Sequence, residues 1–431
     1  ANIAWLSADR VSHSRGRRAL IVATIRRLAP MAGALAVAAL ILSYAPPHTI
    51  GPPWMLALLG ALALAWVLWQ PSSTLRDDVM PALAVVLSAL GLAMVARLAP
   101  DLAARQQLWV LVSLGLAMVA GPAFTHFRRF AAFKYLWVVA SLVLFLLLIL
   151  FGQEINGARL WIKVGPIQYE PIELIKLFIV LFLAAYLAET ADVIAKAKLW
   201  SLRANFKYLG PLFIGWGASM AILVVQRDLG MATLLLATFA TMLYVATRRW
   251  DIVLFGALLF AVGAFWAAHH YPYVNSRIAV WFNPFSDPHG AGYQSSQAYY
   301  SLAAGGLLGT GYRLGHPNFI PDVATDYVYA AFAEEFGVAG AVVVLAIFLD
   351  LVRRIFAAGL EQPDLYSKLL ATGLGATLGF QVVIIVGGVI GLLPLTGITL
   401  PFISYGGSSL LANFLLVALV WAISARPRRT Q

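Results

Sequence analysis

An all-α, polytopic integral membrane protein of about 12 transmembrane helices, with one large extracytoplasmic loop, is the fold class this sequence predicts. Three observations lead there. The first is composition: of 431 residues, 61% are hydrophobic and only 11% charged, whereas a soluble domain carries roughly 25% charged residues to cover its surface. The second is run length. Apolar stretches long enough to cross a bilayer as a helix, roughly 17–25 residues, lie near 29–45, 54–70, 79–98, 107–123, 133–152, 173–190, 208–226, 229–247, 252–269, 326–352, 368–393 and 403–424. The third is the placement of cations. With the N-terminus in the cytoplasm and the runs alternating, 22 of the 30 Lys and Arg residues fall inside and 7 outside, Lys176 lying within a helix. Such an excess on the cytoplasmic side is the positive-inside pattern.

Other classes are excluded on the same grounds. The apolar content is too high for disorder. With no cysteine there is no disulfide framework, thiol chemistry or thiolate metal site. The runs are apolar all round, not alternating like barrel strands. The net charge of +11 is mostly a topology signal. The basic residues are scattered over short loops and not gathered in one domain, which gives no case for nucleic acid.

In chain order, residues 1–28 form a basic tail and 29–78 hold two helices. Residues 79–425 are the main membrane domain, including outer loop 270–325, and 426–431 are a second basic tail. The first apolar run follows six arginines from Arg10 to Arg27 and is followed by Pro46 and Pro47. That reads as an uncleaved anchor, not a secretory signal. Both termini are expected in the cytoplasm. Two outer segments, 153–172 and 270–325, are long; loops of more than about 15 residues are commonly functional. The second is rich in aromatic residues and glycine, unlike a charged linker.

Several polar residues stand where apolar ones are expected. Glu173 and Lys176 share one face at i,i+3. They are either a mutual ion pair that helps the bundle pack or the lining of a polar cavity. Gln226, Arg227 and Asp228 make a tight outer turn, in which Asp228 suits a helix N-terminus. Asp326 is expected to open the tenth helix, as a cap or as a functional acid. Glu334 and Glu335 follow roughly 12 Å deeper, where at least one must find a donor. From Gly391 to Ser409 the chain is too rich in Gly and Pro for regular helix, a backbone tolerated near a membrane where it lines a cavity. His269, His270, His289 and His316 lack metal-ligand spacing. There is no Walker loop, G-x-S-x-G or H-E-x-x-H, so ATP-driven transport and serine hydrolysis are unsupported.

A set of short motifs carries a family resemblance. Asn156-Gly-Ala-Arg159-Leu-Trp161-Ile and Glu170-Pro-Ile-Glu173-Leu-Ile-Lys176 resemble the N-G-A-R-x-W … Q-P-S-E-x-x-K signature of the SEDS family of RodA, FtsW and SpoVE proteins. Gln226-x-Asp228-Leu-Gly230 resembles its Q-x-D-L-G turn. Asn283 to Gln294, with Gly305-Gly306 and Gly309-Thr-Gly311, resembles its large outer loop. Pro321 through Thr325-Asp326-Tyr327, then Glu334-Glu335-Phe-Gly337, resembles P-x-x-x-T-D-F … E-E-x-G. Pro394 to Ser409 resembles its closing L-P-x-x-G-x-x-L-P-x-x-S-Y-G-G-S. The blocks run in family order over roughly residues 80–425. Glu170 and Ile172 depart from the family's Gln and Ser, and the two helices before residue 79 exceed its usual ten spans.

The resemblance implies a peptidoglycan glycosyltransferase. It would polymerise lipid II, an undecaprenyl-diphosphate-linked disaccharide-pentapeptide, on the outer face of the cytoplasmic membrane, beside a class B penicillin-binding protein. It maps the family's catalytic aspartate onto Asp326, as general base or as a metal ligand. The expected substrate contacts are Arg159, Trp161, Lys163, Glu173, Lys176, Gln226, Asp228, Arg277, Tyr293, Gln294, Glu335, Ser404 and Ser408. A divalent cation, magnesium or manganese, is compatible with the chemistry, and no organic cofactor is implied. The residues agree with that reaction. A sugar hydroxyl is a poor nucleophile and gains from one base, and a departing diphosphate needs positive charge, supplied by Arg and Lys or a metal ion. Arg159, Lys163, Lys176, Arg227, Arg277 and Arg313, the outer or in-membrane cations, all fall on the side of Asp326. A lipid II flippase of the same family is the competing reading, and a non-catalytic scaffold a third. The absence of an inverted repeat, and the clustering of polar residues on one side, disfavour alternating access.

Overall fold

The computed structural model describes residues 74–155, 158–165, 167–196 and 228–427, with the isolated Gly60, Gly210 and Gly217. The runs expected at 29–45, 54–70 and 208–226 lie outside the described residues, as do Gln226 and Arg227. The other nine runs are all helical. They are α1 (Val79–Leu98), α2 (Pro100–Phe124), α3 (Lys134–Phe151), α4 (Ile172–Lys196), α5 (Leu229–Thr247), α6 (Trp250–His270), α9 (Val328–Leu360), α10 (Leu365–Val389) and α11 (Gly407–Ile423). Eight of the nine are long and apolar enough to span a membrane; α11, at 17 residues, is shorter. A helix satisfies every backbone N–H and C=O internally, as a hydrocarbon surrounding demands.

The helices differ in how many neighbours they have. α11 is buried along its whole length, from Ser408 to Ile423, and packs chiefly on α2. α10 is almost as enclosed, between α9, α5 and α4. In α3 only Ser141, Phe145 and Leu148 are buried, and α6 presents Leu254, Leu258, Val262 and Phe265 outward. Those apolar faces suit lipid. α5 begins where the Asp228 carboxylate accepts from Met231 N at 2.9 Å, and α10 where Asp364 accepts from Ser367 N at 2.8 Å. Each cap removes one orphan donor.

The expected extents shift in places. The second described span starts at Pro100, not at 107, because proline suits the first helical turn. The expected 326–352 becomes Val328–Leu360 and is broken at Gly337, whose φ of 70° is left-handed. Segment 153–172 is not plain loop. Gln153–Ile155 (β2), Ala158–Val164 (β3) and Ile167–Tyr169 (β4) form an antiparallel meander there. Segment 270–325 likewise contains two helices, α7 (Pro272–Phe282) and α8 (Tyr293–Gly305). On the opposite side Thr74–Leu75 (β1) pairs with Arg426–Pro427 (β5), joining the two ends of the described chain.

Candidate active site

Asp326 does not open a helix. α9 begins at Val328 with Tyr327 in the capping position. Asp326 lies in the turn before it, its N–H donating to Asp322 O at 3.0 Å. The capping explanation for this carboxylate therefore falls away. The turn is tied to the closing loop between α10 and α11. Ser404 Oγ donates to Thr325 O, Leu400 N donates to Ser404 Oγ at 2.9 Å, and Tyr405 N donates to Ala324 O at 2.8 Å. Gln106, fully buried on α2, clamps the same loop by donating to Ser404 O and accepting from Gly406 N.

Arg277 on α7 reaches the opposite flank of that loop, with Nη1 donating to Leu395 O at 2.9 Å. Gly397 lies near both groups. A Cβ built there would lie 3.5 Å from Asp326 Oδ2 and 3.8 Å from Arg277 Nη2. The backbone at Gly397 has φ 75°, which favours glycine. Burial, opposed by the Thr325 hydrogen bond and by Arg277 and reinforced by Asp322, raises Asp326 to about 6. Arg277, unlike Lys176, is exposed.

Two further acids interact with this pair, and a third, Glu173, interacts with those two. Asp228 is raised to about 6, chiefly by burial, with the Met231 N–H and Arg277 pulling it down. Glu170 is held well above the usual range, by burial first and then by the charges of Glu173 and Asp228. Glu173 bonds to Lys176, and the pair is enclosed, Lys176 at 0% and Glu173 at 2% exposure. It does not line an open cavity in this structure. Lys176 Nζ instead donates to Gln381 Oε1 at 2.8 Å, and Gln381 Nε2 donates to Thr399 O at 2.9 Å. Thr399 Oγ1 bonds Ser409 Oγ, and Asn413 Nδ2 donates to Ser409 O. This polar ladder joins the buried pair to the loop beside Asp326. A buried polar group needs partners, so a glutamine inside an otherwise apolar run was the signal that sequence reasoning passed over.

The other expected contacts separate. Ser408 accepts from Glu170 N at 2.8 Å, fastening β4 to the head of α11. Gln294 donates from Nε2 to Pro321 O at 2.9 Å and lines a cleft with Arg277. Tyr293 is half-buried at the start of α8. Arg159, Trp161 and Lys163 stand on β3; Trp161 is half-buried and Lys163 exposed. Glu335 is taken up elsewhere: its Oε1 receives Arg97 Nε at 3.1 Å, while Arg97 Nη2 donates to Gly315 O. Glu334 Oε1 accepts from His316 N at 2.7 Å. Both acids clasp loop 305–316 at the break in α9, where Thr310 N and Gly311 N bond Glu334 O and Glu335 O. Among the described residues no three His, Asp or Glu side chains form a group able to hold a metal ion.

Residues 74–429 match the cell cycle protein family FtsW/RodA/SpoVE. The chain belongs to that family. The chain is 35% identical over 410 residues to the peptidoglycan glycosyltransferase RodA of Mycobacterium tuberculosis, covering 88% of this chain and 86% of the relative. It is 36% identical to the stage V sporulation protein E of Bacillus subtilis, over 68% of this chain and 79% of that protein. Among solved structures, a peptidoglycan synthase complex that coordinates polymerization and crosslinking contains a chain 31% identical to this one. It superposes with a TM-score of 0.67, over 81% of this chain and 97% of that one. The rod shape determining protein RodA of Thermus thermophilus is 28% identical with a TM-score of 0.59, over 81% and 96%. Family and spans together make this a multi-pass membrane protein.

Proposed function

We propose that this protein is a peptidoglycan glycosyltransferase that polymerises lipid II at the outer face of the cytoplasmic membrane. The naming of its relatives as peptidoglycan glycosyltransferases supports the reaction class. The observation that carries the chemistry is the approach of Asp326 and an exposed arginine, Arg277, to one glycine, Gly397.

The acceptor hydroxyl approaches the anomeric carbon of the donor sugar. Its proton passes to the Asp326 carboxylate as the new carbon–oxygen bond forms. The bond from the anomeric carbon to the phosphate oxygen breaks, and the lipid diphosphate leaves with the electron pair. A pKa of about 6 suits Asp326 to this work, because a general base is most effective when its pKa lies near the working pH. Arg277 offsets the charge gathering on the leaving group, as preorganised cations do in partly desolvated sites. Asp228 lies within electrostatic reach of Arg277 and holds its charge toward the site. No step is assigned to a metal ion.

A class B penicillin-binding protein is the proposed partner, supported by the likeness to a chain from a complex that joins polymerization to crosslinking. The 22-to-7 division of basic residues supports cytoplasmic termini and an outer site. Purified protein given fluorescent lipid II, with and without the cognate transpeptidase, tests the whole reading. Glycan polymer is expected; lipid scrambling without polymer would make the protein a flippase, and neither would leave a scaffold.

A further inference from the structure

A cleft of about 120 Å³ opens between α7, α8 and the closing loop. Arg277 stands on its wall, so the cleft begins beside Asp326. Trp281 follows Arg277 by four residues, on the same face of α7. The opposite wall, from α8, carries Gln294, Ser295 and Tyr299.

Both aromatic walls abut one backbone position. Trp281 Nε1 donates to Gly391 O at 3.0 Å, and a Cβ built on Gly391 would meet the Tyr299 hydroxyl at 2.3 Å. Gln294 spends its amide N–H on Pro321 O, which leaves the side-chain carbonyl as an acceptor. Ser295 Oγ bonds the Tyr327 hydroxyl, next in sequence to Asp326. A rigid aromatic face with a few polar groups beside it is the surface on which a pyranose ring packs its C–H face and hydrogen-bonds its hydroxyls. Arg277 and Trp281 stand about one turn apart on α7, so a cation and an indole follow one another along the cleft wall.

We propose that this cleft is the donor subsite, holding a saccharide 1-diphosphate with its phosphates on Arg277 and its sugar between Trp281 and Tyr299. The assignment rests on the glycosyltransferase reading above. The donor, not the acceptor, is indicated because the cation stands beside the base. Only the donor brings its diphosphate to the reacting hydroxyl.

The test uses full-length protein in lipid nanodiscs and two probes. One is lipid II whose acceptor hydroxyl is blocked, so that it binds only as donor; the other is undecaprenyl diphosphate, which has no sugar. Trp281→Leu is expected to weaken the blocked lipid II at least tenfold and undecaprenyl diphosphate less than twofold, with Trp281→Phe restoring most of the loss. Arg277→Gln is expected to weaken both probes by a similar factor. Tyr299→Leu, on the other wall, repeats the Trp281 pattern and guards against a folding defect in one variant. Equal losses for both probes would make the aromatic residues mere loop supports and overturn the proposal. So would unchanged binding of blocked lipid II. Those failures leave wild-type polymerisation intact; wild-type protein that makes no polymer overturns the glycosyltransferase reading itself.

Discussion

Asp326 and Arg277 both approach a single glycine, close enough that a methyl group on Gly397 would lie 3.5 Å from the carboxylate and 3.8 Å from the guanidinium. The carboxylate comes from the turn before α9 and the arginine from α7, and both reach the closing loop. Four predictions follow from this arrangement and from the groups that hold it.

Asp326→Asn should fold, retain lipid II and lose polymerisation by roughly 10²–10⁴-fold, the range for a missing general base. Wild-type turnover should climb as pH rises through about 6, where Asp326 ionises. Stability runs the other way. The folded value lies above the ordinary 3.8, so this group's contribution is full below 3.8 and is lost as pH rises through about 6. A pH–rate profile and a parallel melting series measure both; a tenth or more of wild-type turnover in Asp326→Asn would remove it as base.

Lys176→Met should lower accumulation and melting temperature, because it leaves the enclosed Glu173 side chain without its partner. Stranding one partner of a buried pair costs about 3–5 kcal/mol. Adding Glu173→Gln should restore most of that stability. If Lys176→Met is as stable as wild type yet inactive, the pair serves substrate and not packing.

Gly337→Ala should unfasten loop 305–316. A Cβ there would meet Gly309 N and Leu307 O at 2.4 Å, and the left-handed φ adds strain of roughly 1–3 kcal/mol. Limited proteolysis should cut the variant within 305–316 faster than wild type. Equal protection in the two proteins would show that the break in α9 does not hold the loop.

Cysteines introduced into this cysteine-free chain report its orientation. His289→Cys and Arg129→Cys are both at exposed positions. An impermeant maleimide should label the first from outside intact cells and the second only after permeabilisation. Labelling of Arg129→Cys from outside would reverse the topology.

Run length and cation placement alone determined the fold class, because a helix is the only open-ended element that satisfies its own backbone in lipid. They located nine described helices to within several residues. Asp326 and its neighbours were legible through motif order. The tertiary structure decided what stands beside what. Sequence spacing placed Glu173 next to Lys176, but Gln381, which completes that pair, lies 205 residues away. Glu335 looked like a cavity residue until Arg97, 238 residues distant, proved to hold it. Arg277 was one of several outer cations of equal standing, and Trp281 one of 13 tryptophans. Periodicity records which face of a helix is apolar. It carries nothing about which helix that face meets, and a charge in low dielectric takes its role from its nearest partner, which only packing supplies.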